Sequence, residues 1–215
     1  MNQQTNHKTL FFDLDGTLTD PKEGITRSIQ YALERLGQDV PSADALEWCI
    51  GPPLLDSMAV LVGEQTAESA VTYYRERFSD IGWAENIPYD GIHRTLENLR
   101  HSGATLYVAT SKPHIFAKRI LKHFELFGFF SGVYGSKLDG TRSNKGDLLR
   151  YALDDTKPAQ PAIMIGDRSH DMIGARSNDM EAIGVTYGYG TYEELQSSGA
   201  HGIINAPDEL CAILS

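Results

Sequence analysis

A chain of 215 residues with 41% hydrophobic content can bury a large core and has room for a second, smaller unit. Its 19 basic and 29 acidic residues leave a formal charge of −10 with no long Lys/Arg block, which argues against a nucleic-acid polymer as partner. An anionic ligand would need local cations: a metal, a lysine or helix N-termini. Cys49 and Cys211 are the only cysteines and have no metal-ligand spacing, so a reducing cytoplasmic setting is expected and a disulfide framework is not. The polar N-terminal stretch lacks the apolar centre of a signal peptide, His7 in it earns no role, and no apolar run approaches a membrane span.

In chain order, the first predicted strand covers Thr9–Leu14 and runs into Asp13-Leu14-Asp15-Gly16-Thr17. Two carboxylates two residues apart on extended backbone point the same way and repel each other unless a cation or a shared proton relieves them. Such a pair suits metal-assisted chemistry or a division into nucleophile and acid, although a strand ending in a solvated Asp-Gly turn is common in its own right. Residues 21–87 carry no convincing strand. Ile25, Ile29, Ala32, Leu33 and Leu36 form an apolar stripe closed by Gly37, and further helices are predicted over Ala43–Cys49, Leu54–Leu61 and Thr66–Phe78. Four helices make a small bundle. With one strand before it and the rest after it, the bundle reads as an insertion over the ligand end of a sheet.

After Pro88-Tyr89-Asp90-Gly91, strands alternate with helices. Strands are predicted at Thr105–Thr110, Gly132–Tyr134, Ala162–Gly166, Ala182–Thr186 and Gly202–Ile204. Helices are predicted at Ile92–His101, His114–Phe124, Lys145–Asp154, Asp171–Ser177, Tyr192–Ser197 and Asp208–Leu214. That alternation predicts an α/β, Rossmann-like parallel sheet with its site beyond the strand tips. The chain then divides into a core of residues 1–20 and 88–215 and an inserted helical unit of residues 21–87. Gly188-Tyr189-Gly190 lacks the third glycine of a dinucleotide fingerprint and reads as a turn into a helix.

Three further polar groups fall at strand ends. Thr110-Ser111 supplies hydroxyls before a predicted helix start, where backbone N–H groups could cradle an anion, though a plain helix cap is the simpler reading. Lys145 opens a helix, where a positive charge opposes the macrodipole and hints at a nearby anion. In Gly166-Asp167-Arg168-Ser169-His170-Asp171 an apolar strand ends in one acid and a second follows four residues later. Asp167 could bind Mg²⁺ directly, with Asp171 ligating through water or orienting the shell; a helix cap with a dipole-compensating acid is the alternative.

Together these motifs resemble the haloacid dehalogenase superfamily, in its phosphoglycolate phosphatase-like branch, over nearly the whole chain. Asp13-Leu14-Asp15-Gly16-Thr17 resembles the DxDGT box, Thr110-Ser111 the second signature, Lys145 the third and Gly166-Asp167 with Asp171 the fourth. Residues 21–87 resemble the helical C1 cap, with Gly51-Pro52-Pro53-Leu54 like its specificity loop. The resemblance implies Asp13 as nucleophile, Asp15 as general acid and base, and Lys145 as charge balance. It implies Mg²⁺ held by Asp13, the Asp15 carbonyl and Asp167, with Asp171 nearby, and Gly16, Thr110, Ser111, Lys145, Gly51 and Pro53 around the substrate.

An acid at position 15 separates this chain from metal-free dehalogenases, while Gly146 after Lys145 departs from the Lys-Pro of many relatives. The implied activity is hydrolysis of a small-molecule phosphate ester through an aspartyl-phosphate. A 5'-nucleotidase, a pyrophosphatase or a sugar-phosphate mutase on the same scaffold stays open, as does the oligomeric state, monomer or homodimer.

Overall fold

The structure, a computed structural model, describes residues 8–158 and 162–214; the N-terminal stretch with His7 lies outside them. Six strands form one parallel sheet: β1 (Thr9–Phe12), β4 (Thr105–Pro113), β5 (Gly132–Ser136), β6 (Ala162–Gly166), β7 (Glu181–Val185) and β8 (Gly202–Ile204). Their spatial order is β5-β4-β1-β6-β7-β8. β1 therefore sits between β4 and β6, where the strand order reverses, and ligands of open α/β sheets bind at that switch point beyond the carboxyl ends. All four residues of β1 are buried, as expected of a parallel strand covered on both faces.

Alternation along the strands sorts side chains into two cores. Leu10, Phe12, Ile163 and Ile165 enter one, while Phe11, Met164, Leu148 and Met172 enter the other. Burying each such side chain is worth about 1.5–3 kcal/mol. The first core continues without a break into Ile25, Ile29, Leu46, Met58 and Phe78, so the helical segment packs on the same apolar mass.

That segment comprises α1 (Lys22–Arg35), a 3₁₀ turn (Asp44–Cys49), α2 (Leu54–Val62), α3 (Glu64–Arg77) and a π turn (Phe78–Gly82). The expected helix over 43–49 is thus a tighter 3₁₀ turn. A two-stranded antiparallel ribbon, β2 (Thr19–Asp20) and β3 (Ile87–Pro88), brackets the segment and was not anticipated: it pairs Thr19 with Pro88 and Asp20 with Ile87. Two-residue strands carry no periodicity, so nothing local announces them.

The remaining helices are α4 (Ile92–His101), α5 (His114–His123), α6 (Lys145–Thr156), α7 (Ser169–Arg176), α8 (Tyr192–Ser197) and α9 (Glu209–Ile213). Several strand ends differ from expectation by one to three residues, and two of them bear on the strand tips around β1. β1 stops at Phe12 because the Leu14 carbonyl accepts N–H groups from Thr17, Leu18 and Thr19 and curls the chain. β4 runs on to Pro113, with its register against β5 shifting between Thr110 and Pro113. Among the described residues no helix is long and apolar enough to cross a membrane.

Candidate active site

Asp13 lies just past β1, with its N–H still donated to the Ile165 carbonyl at 2.9 Å. Its carboxylate accepts the Leu14 N–H at 2.7 Å and sits 3.0 Å from the Lys145 ammonium. Lys145 opens α6 as expected, and its Nζ also reaches Asp171 Oδ1 at 2.8 Å and donates to the Ala109 carbonyl at 2.9 Å. Burial acts to lower the pKa of this lysine, but Asp13 and Asp171 more than reverse that, so it stays charged. The macrodipole conflict at the start of α6 is thus resolved by two carboxylates.

Asp167, at the tip of β6, is fully buried. It accepts the Tyr189 N–H at 2.9 Å, and the Thr17 hydroxyl lies 3.4 Å away. Gly16, at φ +81°, passes so close that a Cβ there would overlap the Asp167 carboxylate, and a Cβ on Gly188 would meet both Asp167 and the Gly16 carbonyl. The two glycines therefore fix where Asp167 can be. Asp171 is engaged at both oxygens, since Oδ2 also accepts the Arg168 N–H at 3.1 Å at the start of α7.

Carboxylate oxygens of Asp13, Asp167 and Asp171 lie within 4.8 Å of one another. Among the described residues no lysine or arginine forms an ion pair with Asp167. Burial, then the charges of Asp171 and Asp13, push its pKa well above the usual carboxylate range. Three buried acids against one lysine leave negative charge uncompensated, and an all-oxygen donor set of this kind fits a hard divalent cation.

Asp15 does not join that group. Its carboxylate is 2.6 Å from the ammonium of Lys112, a residue that no motif in the sequence singles out. Burial raises the Asp15 pKa, and Lys112 offsets part of that rise. Thr110 and Ser111 lie on the bulged end of β4, which runs on to Pro113, and α5 begins at His114 as the sequence predicts. Thr110 Oγ1 accepts the Lys112 N–H at 3.2 Å.

One cavity brings together Asp13, Asp15, Thr110, Ser111 and Lys112 from the sheet side. Gly51, Pro53, Leu54, Val71, Tyr74 and Phe78 line it from the helical side. Gly51, at φ +103°, rests on Arg168, whose guanidinium reaches the Ile50 carbonyl and bonds Glu194 at 3.1 Å. Cys49 also lines the cavity, with its thiol pushed up to about 12 by burial, so it remains neutral. Lys22 and Arg27, at the start of α1, do not line the cavity and are engaged elsewhere: Lys22 with Asp44 and Glu47, Arg27 with Glu23 and Glu85.

A family model described as haloacid dehalogenase-like hydrolase matches residues 10–185. A 5'-nucleotidase of Pseudomonas aeruginosa is 49% identical over 97% of this chain and 93% of its own length. Tyrosine-protein kinase PtkA of Mycobacterium tuberculosis is 38% identical over 94% of this chain and 70% of its own. Among solved structures, a predicted phosphatase from Clostridium acetobutylicum superposes with a TM-score of 0.93 at 46% identity, covering 97% of this chain and 98% of that one.

Proposed function

The chain belongs to the haloacid dehalogenase-like hydrolase family and is a phosphatase of that family; on that premise we propose that it hydrolyses a small phosphate monoester through an aspartyl-phosphate on Asp13. The observation that carries the reading is the division of the acid pair between two lysines. Asp13 shares Lys145 with the acid cluster, whereas Asp15 faces the cavity with Lys112. A carboxylate beside a lysine and a cation stays anionic and nucleophilic, while a separately held acid can serve the leaving group.

In the first step an Asp13 oxygen attacks phosphorus. The ester P–O bond breaks, and its oxygen leaves with the electron pair and takes a proton from Asp15. In the second step water attacks phosphorus and gives its proton to Asp15, and the Asp13–phosphorus bond breaks to return the carboxylate and inorganic phosphate. Mg²⁺, held by Asp13, Asp167 and the Asp15 carbonyl, would neutralise charge on the transferring phosphoryl group. Asp171, with both oxygens engaged, fits the role of fixing Lys145 and the start of α7 rather than direct ligation. Thr110 and Ser111 would hold phosphoryl oxygens from the bulge of β4.

Residues 21–87 would act as the cap that excludes water, with Gly51 and Pro53 at its contact with the core. The lining of Leu54, Val71, Tyr74, Phe78 and Phe116 suits a substrate with an apolar or planar body, and so favours a nucleoside 5'-monophosphate over a compact dianion such as phosphoglycolate. The identity to the Pseudomonas 5'-nucleotidase supports the same choice. The setting would be the cytoplasm. Phosphate release from a panel of metabolite monoesters, with and without Mg²⁺, is the test: nucleoside monophosphates should head the ranking. Isomerised sugar phosphate without released phosphate would instead favour a mutase.

A further inference from the structure

Lys112 sits where β4 loses register with β5, a break between Thr110 and Pro113 that leaves Ser111 and Lys112 outside the strand ladder. Its side chain is almost wholly buried, yet among the described residues it forms an ion pair with one carboxylate, Asp15, at 2.6 Å. On another side its ammonium lies 4.7 Å from the centroid of the Phe78 ring. Phe78 belongs to the helical segment, at the end of α3, where its ring stacks on Tyr74 at 5.3 Å and meets the edge of Phe116, from α5, at 5.2 Å. A buried ammonium needs its few partners, and a desolvated cation over an aromatic face is held more firmly than one in water. One cation therefore spans the acid of the sheet and a ring of the helical segment.

We propose that Lys112 is the positioning residue for the Asp15 carboxylate, and that Phe78 in turn sets Lys112, so that seating of the helical segment aligns the acid–base group. The proposal rests on the phosphatase reading above. Proton transfer to a leaving oxygen demands hydrogen-bond geometry, and an aligned acid or base contributes on the order of 100-fold or more. A nitrophenolate leaves without a proton, whereas an alkoxide does not. Loss of alignment must therefore weigh on alkyl esters and on dephosphorylation of the enzyme more than on transfer from an aryl ester.

The test compares wild type, Lys112→Met and Phe78→Leu, each loaded with Mg²⁺, on 4-nitrophenyl phosphate and on a nucleoside 5'-monophosphate. Lys112→Met should lower kcat on the nucleotide by about 100-fold with little change in KM. The nitrophenolate burst should lose far less, and phosphoenzyme should accumulate. Phe78→Leu should shift the alkyl-to-aryl ratio in the same direction by less. Equal losses on burst and nucleotide turnover, a rise in KM alone, or a Phe78→Leu ratio equal to wild type would each overturn the proposal. If Lys112→Met does not fold, Lys112→Arg keeps the charge but not its point geometry, and an unchanged ratio there overturns it equally. Wild type that releases phosphate from neither ester would overturn the phosphatase reading itself, a result distinct from any of the ratios.

Discussion

Beneath the cavity, Asp13, Asp15, Asp167 and Asp171 are packed with Lys112 and Lys145 at the tips of β1, β4 and β6 and the starts of α6 and α7. Above it, the helical segment offers Ile25, Leu54, Val71, Tyr74 and Phe78, which meet a ligand mainly through carbon. Position in the floor is dictated by backbone: Gly16 and Gly188 leave Asp167 one place to be, and each lysine is held by two or more contacts. Position in the roof is dictated by packing, which tolerates exchange of one apolar group for another. Changes to the floor should therefore alter chemistry, and changes to the roof, apart from Phe78 with its contact to Lys112, should alter which ester is accepted.

The largest break in that contrast comes from Asp13→Asn. Turnover should fall by about 10³-fold or more while thermal unfolding stays cooperative, as phosphate release and a melting curve would show. Retained turnover would mean that the floor does not hold the nucleophile.

Next in size is the cation. Chelation should abolish phosphate release and Mg²⁺ should restore it. Mg²⁺ at about 100 times its Kd should also add about 2.7 kcal/mol of stability. That gain should shrink in Asp167→Asn; an equal gain in the variant would place the ion elsewhere.

The roof should respond differently. Leu54→Ala should raise KM for a nucleoside monophosphate by about tenfold and leave methyl phosphate, which has nothing for the roof to hold, almost unaffected. Equal losses on both esters would erase the distinction between roof and floor.

The smallest effect is expected at the junction of the two regions, where Glu85 meets Arg77 at 2.7 Å and Arg27 at 3.0 Å. The Arg77 hydrogen bond leads in lowering the Glu85 pKa below its ordinary 4.5, against an opposing effect of burial and with help from Arg27. A depressed folded-state value means that the bridge stabilises fully above that ordinary value and fades as pH falls through the lower one. Glu85→Gln should cost at most about 1 kcal/mol near neutral pH. Its Tm gap from wild type should close on acidification; a gap that widens would reverse the assignment.

Much of this was legible along the chain. Short apolar runs alternating with helical segments marked the six strands of the sheet, the Ile25-to-Leu36 stripe marked α1, and acids at strand tips marked Asp13, Asp15 and Asp167. Lys145 showed itself by opposing a helix dipole. These signals are local: each is carried by residues within a turn or a strand of one another.

What tertiary structure alone decided was the partnering. That Lys145 bridges Asp13 and Asp171 while Lys112 takes Asp15 follows from how β4 and α6 flank β1. Thr17 and Tyr189 converge on Asp167 from far along the chain, Thr17 from 150 positions away. Ile50 rests on Arg168 across 118 positions, and the β2–β3 ribbon closes with no periodicity to announce it. Buried charges choose partners by distance in space, and in a parallel sheet neighbouring strand tips come from segments remote in sequence.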